Sequence, residues 1–136
     1  MPHLVVLYTP GLEAETDLTA LCRSLADAML AVRDEAGAGV FPTGGVRVFA
    51  LPASHAAVAD ASRDCAFVYL NLRMGRSRGP AVHQCAGEAL AAAARAHFAP
   101  LLARRPLGLT LQIDEGAEVF DAKLGNLHAL FSKSEG

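Results

Sequence analysis

No apolar run in this 136-residue chain approaches the roughly 18 residues needed to cross a bilayer, and the N-terminus lacks the charged-then-apolar order of a secretion signal. A soluble, cytoplasmic protein without membrane association is expected. Cysteine is scarce: Cys22, Cys65 and Cys85 are odd in number and fall in no CxxC or Cys/His ligand spacing. Neither a disulfide framework nor a metal site is indicated, and the three are read as reduced, mostly buried thiols. The histidines at 3, 55, 83, 97 and 128 are equally scattered and are read as structural or exposed. GAGVFPTGG is rich in glycine but is not a GxGxxG opening a helix, so a nucleotide fingerprint is not supported. Cationic excess is missing too. The formal net charge of −2 excludes a generally basic nucleic-acid binder.

Lysine is nearly absent from the cations that are there. Ten of the twelve are arginine, and three of those fall within RMGRSR, from Arg73 to Arg78. Arginine presents a planar fork matched to carboxylate or phosphate, where lysine supplies a point charge, so a local anion site is a candidate. A solvated loop is the competing explanation.

Hydrophobic patterning divides the chain into elements. Residues 4–8, LVVLY, read as a strand buried on both faces. Leu18, Leu21, Leu25, Ala28, Met29 and Val32 recur at helical spacing from Asp17 to about Arg33, with Thr16 or Asp17 as cap and GAG at 37–39 beyond the end. VRVFAL at 46–51 and CAFVYLNL at 65–72 read as strands. Pro80 opens a long helix through AVHQCAGEALAAAARAHF, which Pro100 should kink or restart. LGLTLQI at 107–113 alternates as a half-buried strand. The order gives two βαβ-type halves in one α/β domain spanning 1–136. GNLHALF at 125–131 packs either on the core or on a neighbouring subunit.

Pro2 is the remaining oddity. It adds no strand hydrogen bond, yet once Met1 is removed it offers a secondary amine on a rigid ring, a candidate base. By itself, proline after the initiator methionine signals only trimming. The wider sequence shifts that balance. PHLVVLYT, GVFPTGGVRV at 39–48, CAFVYLNLRMGRSR at 65–78, HQCAGEAL, AHFAPLL and NLHALF together resemble the 5-carboxymethyl-2-hydroxymuconate isomerase family, of the tautomerase superfamily, over nearly the whole chain apart from an insertion near AVRDEAG at 31–37.

The resemblance implies a tautomerase-like fold of two βαβ halves packed as a homotrimer, with active sites near subunit interfaces and no cofactor. It implies a small-molecule polycarboxylate substrate, a dienol tricarboxylate from aromatic-acid degradation that is converted to the conjugated ketone. Pro2 falls on the family's proline base, Arg47 on the arginine of its GIR-type motif, and Arg78 on the arginine after its glycine-bearing loop. These three form the expected catalytic set. Arg73 and Arg76 stay outside it, either binding a further carboxylate or facing water. Phe49, Arg76 and Ser77 depart from the family pattern. They leave open a different substrate, a hydratase, dehalogenase or decarboxylase of the same superfamily, or a trimeric binding paralogue without turnover.

Overall fold

In the computed structural model, which describes residues 2–135 and side chains as far as Ser132, β1 (His3–Tyr8), α1 (Leu18–Leu30) and β2 (Arg47–Pro52) form the first half. The second half is β3 (Ala66–Met74), α2 (Pro80–Leu102) and β4 (Leu107–Glu115), followed by α3 (Leu127–Glu135). The four strands make one sheet in the order β2-β1-β3-β4. Each half contributes a parallel pair, and β1 and β3 join the halves antiparallel. The two βαβ halves anticipated from the pattern are therefore the fold.

Both long helices pack on one face of this sheet. Along β1 the pleat alternates, so Leu4, Val6 and Tyr8 are buried while Val5 is half-buried and Leu7 exposed. The expectation that LVVLY is buried on both faces is thus corrected: an unbroken apolar run does not reveal that both long helices lie on one side. On the helix side, Leu70, Leu72 and Met74 of β3 meet Leu21, Leu25 and Met29 of α1 and Leu90 and Phe98 of α2. Leu107, Leu109, Leu111 and Ile113 of β4 are packed partly against that core, as their alternation suggested.

The opposite face carries Leu7, Phe49 and Leu51 exposed, with Val5, Phe67 and Tyr69 half-covered. Its β3–β4 side is more polar. There the Tyr69 hydroxyl donates to Gln112 Oε1 at 2.7 Å, and Asn71 Nδ2 donates to Asp114 Oδ2 at 2.8 Å.

Local chemistry explains where the helices begin and end. Asp17 caps α1, its carboxylate accepting from the Ala20 N–H at 3.0 Å. The helix stops at Leu30, short of the expected Arg33, although Val32 remains buried. Periodicity registered Val32 as helical because it faces the core from the turn that follows. In that turn Asp34 accepts from the N–H groups of Ala36 and Ala38, both at 2.9 Å, and Gly37 takes a φ of +82°.

Pro100 does not interrupt α2, which continues to Leu102. It lies within the last turn, and both it and Ala96, whose carbonyl loses its helical donor, are exposed to water. The thiols are also less buried than expected. All three are free, Cys22 and Cys65 half-buried and Cys85 exposed, because Cys85 falls beside Ala86, outside the stripe of Ala86, Leu90, Ala94 and Phe98 that faces the core.

Phe98 is fully buried and the largest side chain of that stripe. Phe98→Ala should cost about 3–5 kcal/mol, the usual range for emptying an aromatic core site, read as a lower urea midpoint at unchanged slope.

Candidate active site

The phase of β1 sets the site. Pro2, one residue before the strand, falls on the same side as Leu4 and Val6 and is buried. Its neighbour His3 points to the other side, where the strand register places it between Arg47 of β2 and Arg73 of β3. Two hollows flank this strand end.

The first, of about 260 Å³, has Pro2 in its wall together with Phe41, Met74, Ser77 and Arg78. Phe41 and Met74 are buried and make that wall apolar. Arg78 is half-buried, and its Nη2 donates to the Val40 carbonyl at 2.6 Å. That bond ties the loop after β3 to the segment before β2, and among the described residues it leaves the guanidinium's other N–H groups for an anion.

The second hollow, of about 330 Å³, is lined by His3, Arg47 and Asp121. Burial, and next the Arg47 guanidinium, hold the His3 imidazole below its ordinary pKa. Near neutral pH it is an uncharged hydrogen-bonding group. Lys123 and His128 line both hollows. Lys123 is paired with Asp121, and hydrogen bonding from Lys123 keeps that carboxyl below the usual range.

The structure therefore brings Pro2 and Arg78 to one pocket and puts Arg47 in the adjoining one. Arg73 and Arg76 are occupied elsewhere: Arg73 Nε lies 3.6 Å from Glu118 Oε1, and Arg76 Nε donates to the Gly116 carbonyl at 2.9 Å. Met1 lies outside the described residues.

Two lining residues, Lys123 and His128, gave no sequence signal as site residues. The polar stretch before GNLHALF has no periodicity, and His128 stands alone. What positions His128 is a close backbone approach. A Cβ on Gly44, in the short 3-10 turn Thr43–Gly45, would come within 3.0 Å of both His128 Cα and the Leu127 carbonyl oxygen. Only glycine lets α3 rest on that turn without displacement. The VFPTGG stretch, residues 40–45, thus holds Arg78 through Val40 and seats α3 through Gly44.

The family model described as "CHMI: 5-carboxymethyl-2-hydroxymuconate isomerase" matches residues 2–131. A curated 5-carboxymethyl-2-hydroxymuconate Delta-isomerase from Escherichia coli is 32% identical over 131 residues, spanning 96% of this chain and 99% of its own length. A crystal structure of a 5-carboxymethyl-2-hydroxymuconate delta-isomerase is 60% identical with a TM-score of 0.93, over 96% of this chain and 93% of that one. A 5-carboxymethyl-2-hydroxymuconate isomerase from Deinococcus radiodurans R1 is 37% identical with a TM-score of 0.84, again over 96% and 93%. The chain belongs to the 5-carboxymethyl-2-hydroxymuconate isomerase family. At 18% identity and a TM-score of 0.54, over 94% of this chain and 98% of that one, a fused 4-OT trimer shares the fold.

Gly44→Ala should move α3 by a few tenths of an ångström or detach it. Amide exchange should then rise selectively in residues 127–132, while protection of β1 and β3 stays as in the parent protein.

Proposed function

We propose that the protein ketonises an unsaturated 2-hydroxy polycarboxylate of the 5-carboxymethyl-2-hydroxymuconate type, with the Pro2 nitrogen as the base that carries the proton. The burial of Pro2 in a pocket that also holds the Arg78 guanidinium is the observation that supports this most. The proton balance is simple. The enol O–H bond breaks as an N–H bond forms on Pro2; the diene electrons shift, and the same proton is delivered to carbon as the carbonyl forms. The nitrogen ends as it began.

An ordinary α-amino group titrates at about 7.7–8.0, and a base works best with its pKa near the operating pH. Two surroundings favour the free amine here. The apolar Phe41 and Met74 wall disfavours the charged ammonium, and the Arg78 cation repels it. Arg78 would grip a carboxylate beside the reacting diene and offset charge developing on the dienolate, while Arg47 would hold a carboxylate from the adjoining hollow. All of this requires Met1 to be removed, since an amide nitrogen has no basic lone pair.

A homotrimer fits the same picture. The exposed Leu7, Phe49 and Leu51 on the helix-free face make an apolar surface that association would cover. We place the enzyme in the cytoplasm, a compartment suited to three free thiols.

Turnover of a dienol substrate, followed by its ultraviolet absorbance, should be seen only in protein whose intact mass lacks Met1. Pro2→Ala should lower kcat by roughly 10²- to 10⁴-fold, the usual contribution of a positioned base. A kcat equal to the parent's in that variant would refute the base assignment. Sedimentation should give three chains per particle, and Leu51→Asp on the open face should shift it towards the monomer; a parent that sediments as a monomer would refute the trimer.

A further inference from the structure

The β3–β4 ladder ends at the rung that pairs Met74 with Glu115. One bond runs past it, the Gly116 N–H donating to the Met74 carbonyl at 2.7 Å. In a parallel ladder that continued, the next bond would go from the Arg76 backbone N–H to the Gly116 carbonyl. The chain turns instead at Arg76 and Ser77, and that carbonyl accepts from the Arg76 side chain, with Nε 2.9 Å away. The side chain thus supplies the rung that its own backbone has given up. Gly116 is buried, so its carbonyl depends on a donor from the protein.

What leaves the strand at this point builds the site. Gly75, Ser77 and Arg78 stand in the wall of the Pro2 hollow, whereas Arg76, among the described residues, lines neither hollow beside β1. The loop is fastened on both sides of Ser77: Arg76 to the end of β4, and Arg78 Nη2 to the Val40 carbonyl at 2.6 Å. We infer that Arg76 is a positioning residue, its side chain bracing the loop after β3 against β4 so that Ser77 and Arg78 are held at the Pro2 hollow. This rests on reading that hollow as the enol site, and it gives a role to an arginine that departs from the family pattern.

One tether does not fix a guanidinium. The Val40 bond holds a single nitrogen of Arg78, which leaves the plane of the fork free to swing as the backbone beneath it moves. Glycines at both ends of the loop, Gly75 and Gly79, add no stiffness. A second anchor two residues earlier removes that freedom. Orientation matters here because a planar fork grips a carboxylate through two parallel bonds, and a misplacement of about 1 Å at such a group can cost roughly 10²-fold in rate.

Three variants separate a brace from a charge. Arg76→Met keeps the apolar stem and removes the donor, Arg76→Gln puts an uncharged N–H where Nε stood, and Arg76→Lys keeps the charge but moves the donor outward. In dienol turnover, kcat/KM should fall roughly ten- to hundredfold in Arg76→Met and recover to within about threefold of the parent in Arg76→Gln. Adding Arg76→Met to Arg78→Met should cost little more than Arg78→Met alone, since a brace matters only through what it holds. Independently of turnover, backbone order parameters over residues 75–79, measured by NMR relaxation, should drop from about 0.85 towards 0.6 in Arg76→Met. They should stay high in Arg76→Gln, with β1 and β3 as in the parent in both.

Additive losses in the double variant would overturn the brace, because Arg76 would then act apart from Arg78. So would a glutamine variant as impaired as the methionine one beside a lysine variant equal to the parent, the mark of a charge acting at a distance. Unchanged order parameters in Arg76→Met would overturn it as well. A loop that loosens in Arg76→Met, in a protein whose parent turns over no dienol, would leave the brace standing and sink the catalytic reading instead.

Discussion

The alternation of side chains along β1 is the constraint on which the rest depends. A strand directs successive residues to opposite faces, and this one begins immediately after Pro2. The ring is thereby committed to the helix-covered side with Leu4, Val6 and Tyr8, and His3 to the open side between Arg47 and Arg73. A shift of one residue would exchange those fates, baring the proline and burying an imidazole. Because Leu4 and Val6 are wholly enclosed, the hydrophobic core itself fixes the phase. The energy that folds the domain also aims the proposed base.

Packing then decides how far each cation can reach. Arg78 is fastened through Val40 to the segment that carries Gly44, and Gly44 admits α3. One short stretch, VFPTGG, thus coordinates three regions far apart in sequence: the loop after β3, the start of β2 and the segment that carries α3. Electrostatics works at closer quarters. Arg73 and Arg76 are drawn to Glu118 and the Gly116 carbonyl, which leaves Arg47 and Arg78 as the arginines that line the hollows beside β1.

Sequence patterning revealed what depends on local periodicity. The alternation of Leu107 to Ile113, the leucine spacing of α1 and the Asp17 cap each act within a few residues, and all are present in the fold. It misled where a residue's surroundings come from elsewhere. LVVLY looked enclosed on both sides because its pattern carries no information about the number of helix layers. Pro100 looked disruptive because its penalty depends on distance from the helix end and on access to water. For the site, the family resemblance led to Pro2, Arg47 and Arg78; that Arg47 opens a separate hollow follows only from three-dimensional register. Lys123 had no periodic or motif signal, and His128 appeared only within NLHALF with no role attached, since their place is set by a tail returning across the sheet's end.

The order of these pieces along the chain has a consequence for synthesis. Lys123 and His128 follow all four strands, so a ribosome has delivered β1 to β4 before it supplies the wall that divides the two hollows. Pro2, by contrast, leaves the ribosome ahead of all four strands, so the amine that the proposed base requires can be uncovered while the tail is still unmade. Under the proposed mechanism, unmasking of the amine and closure of its surroundings are therefore separable in time.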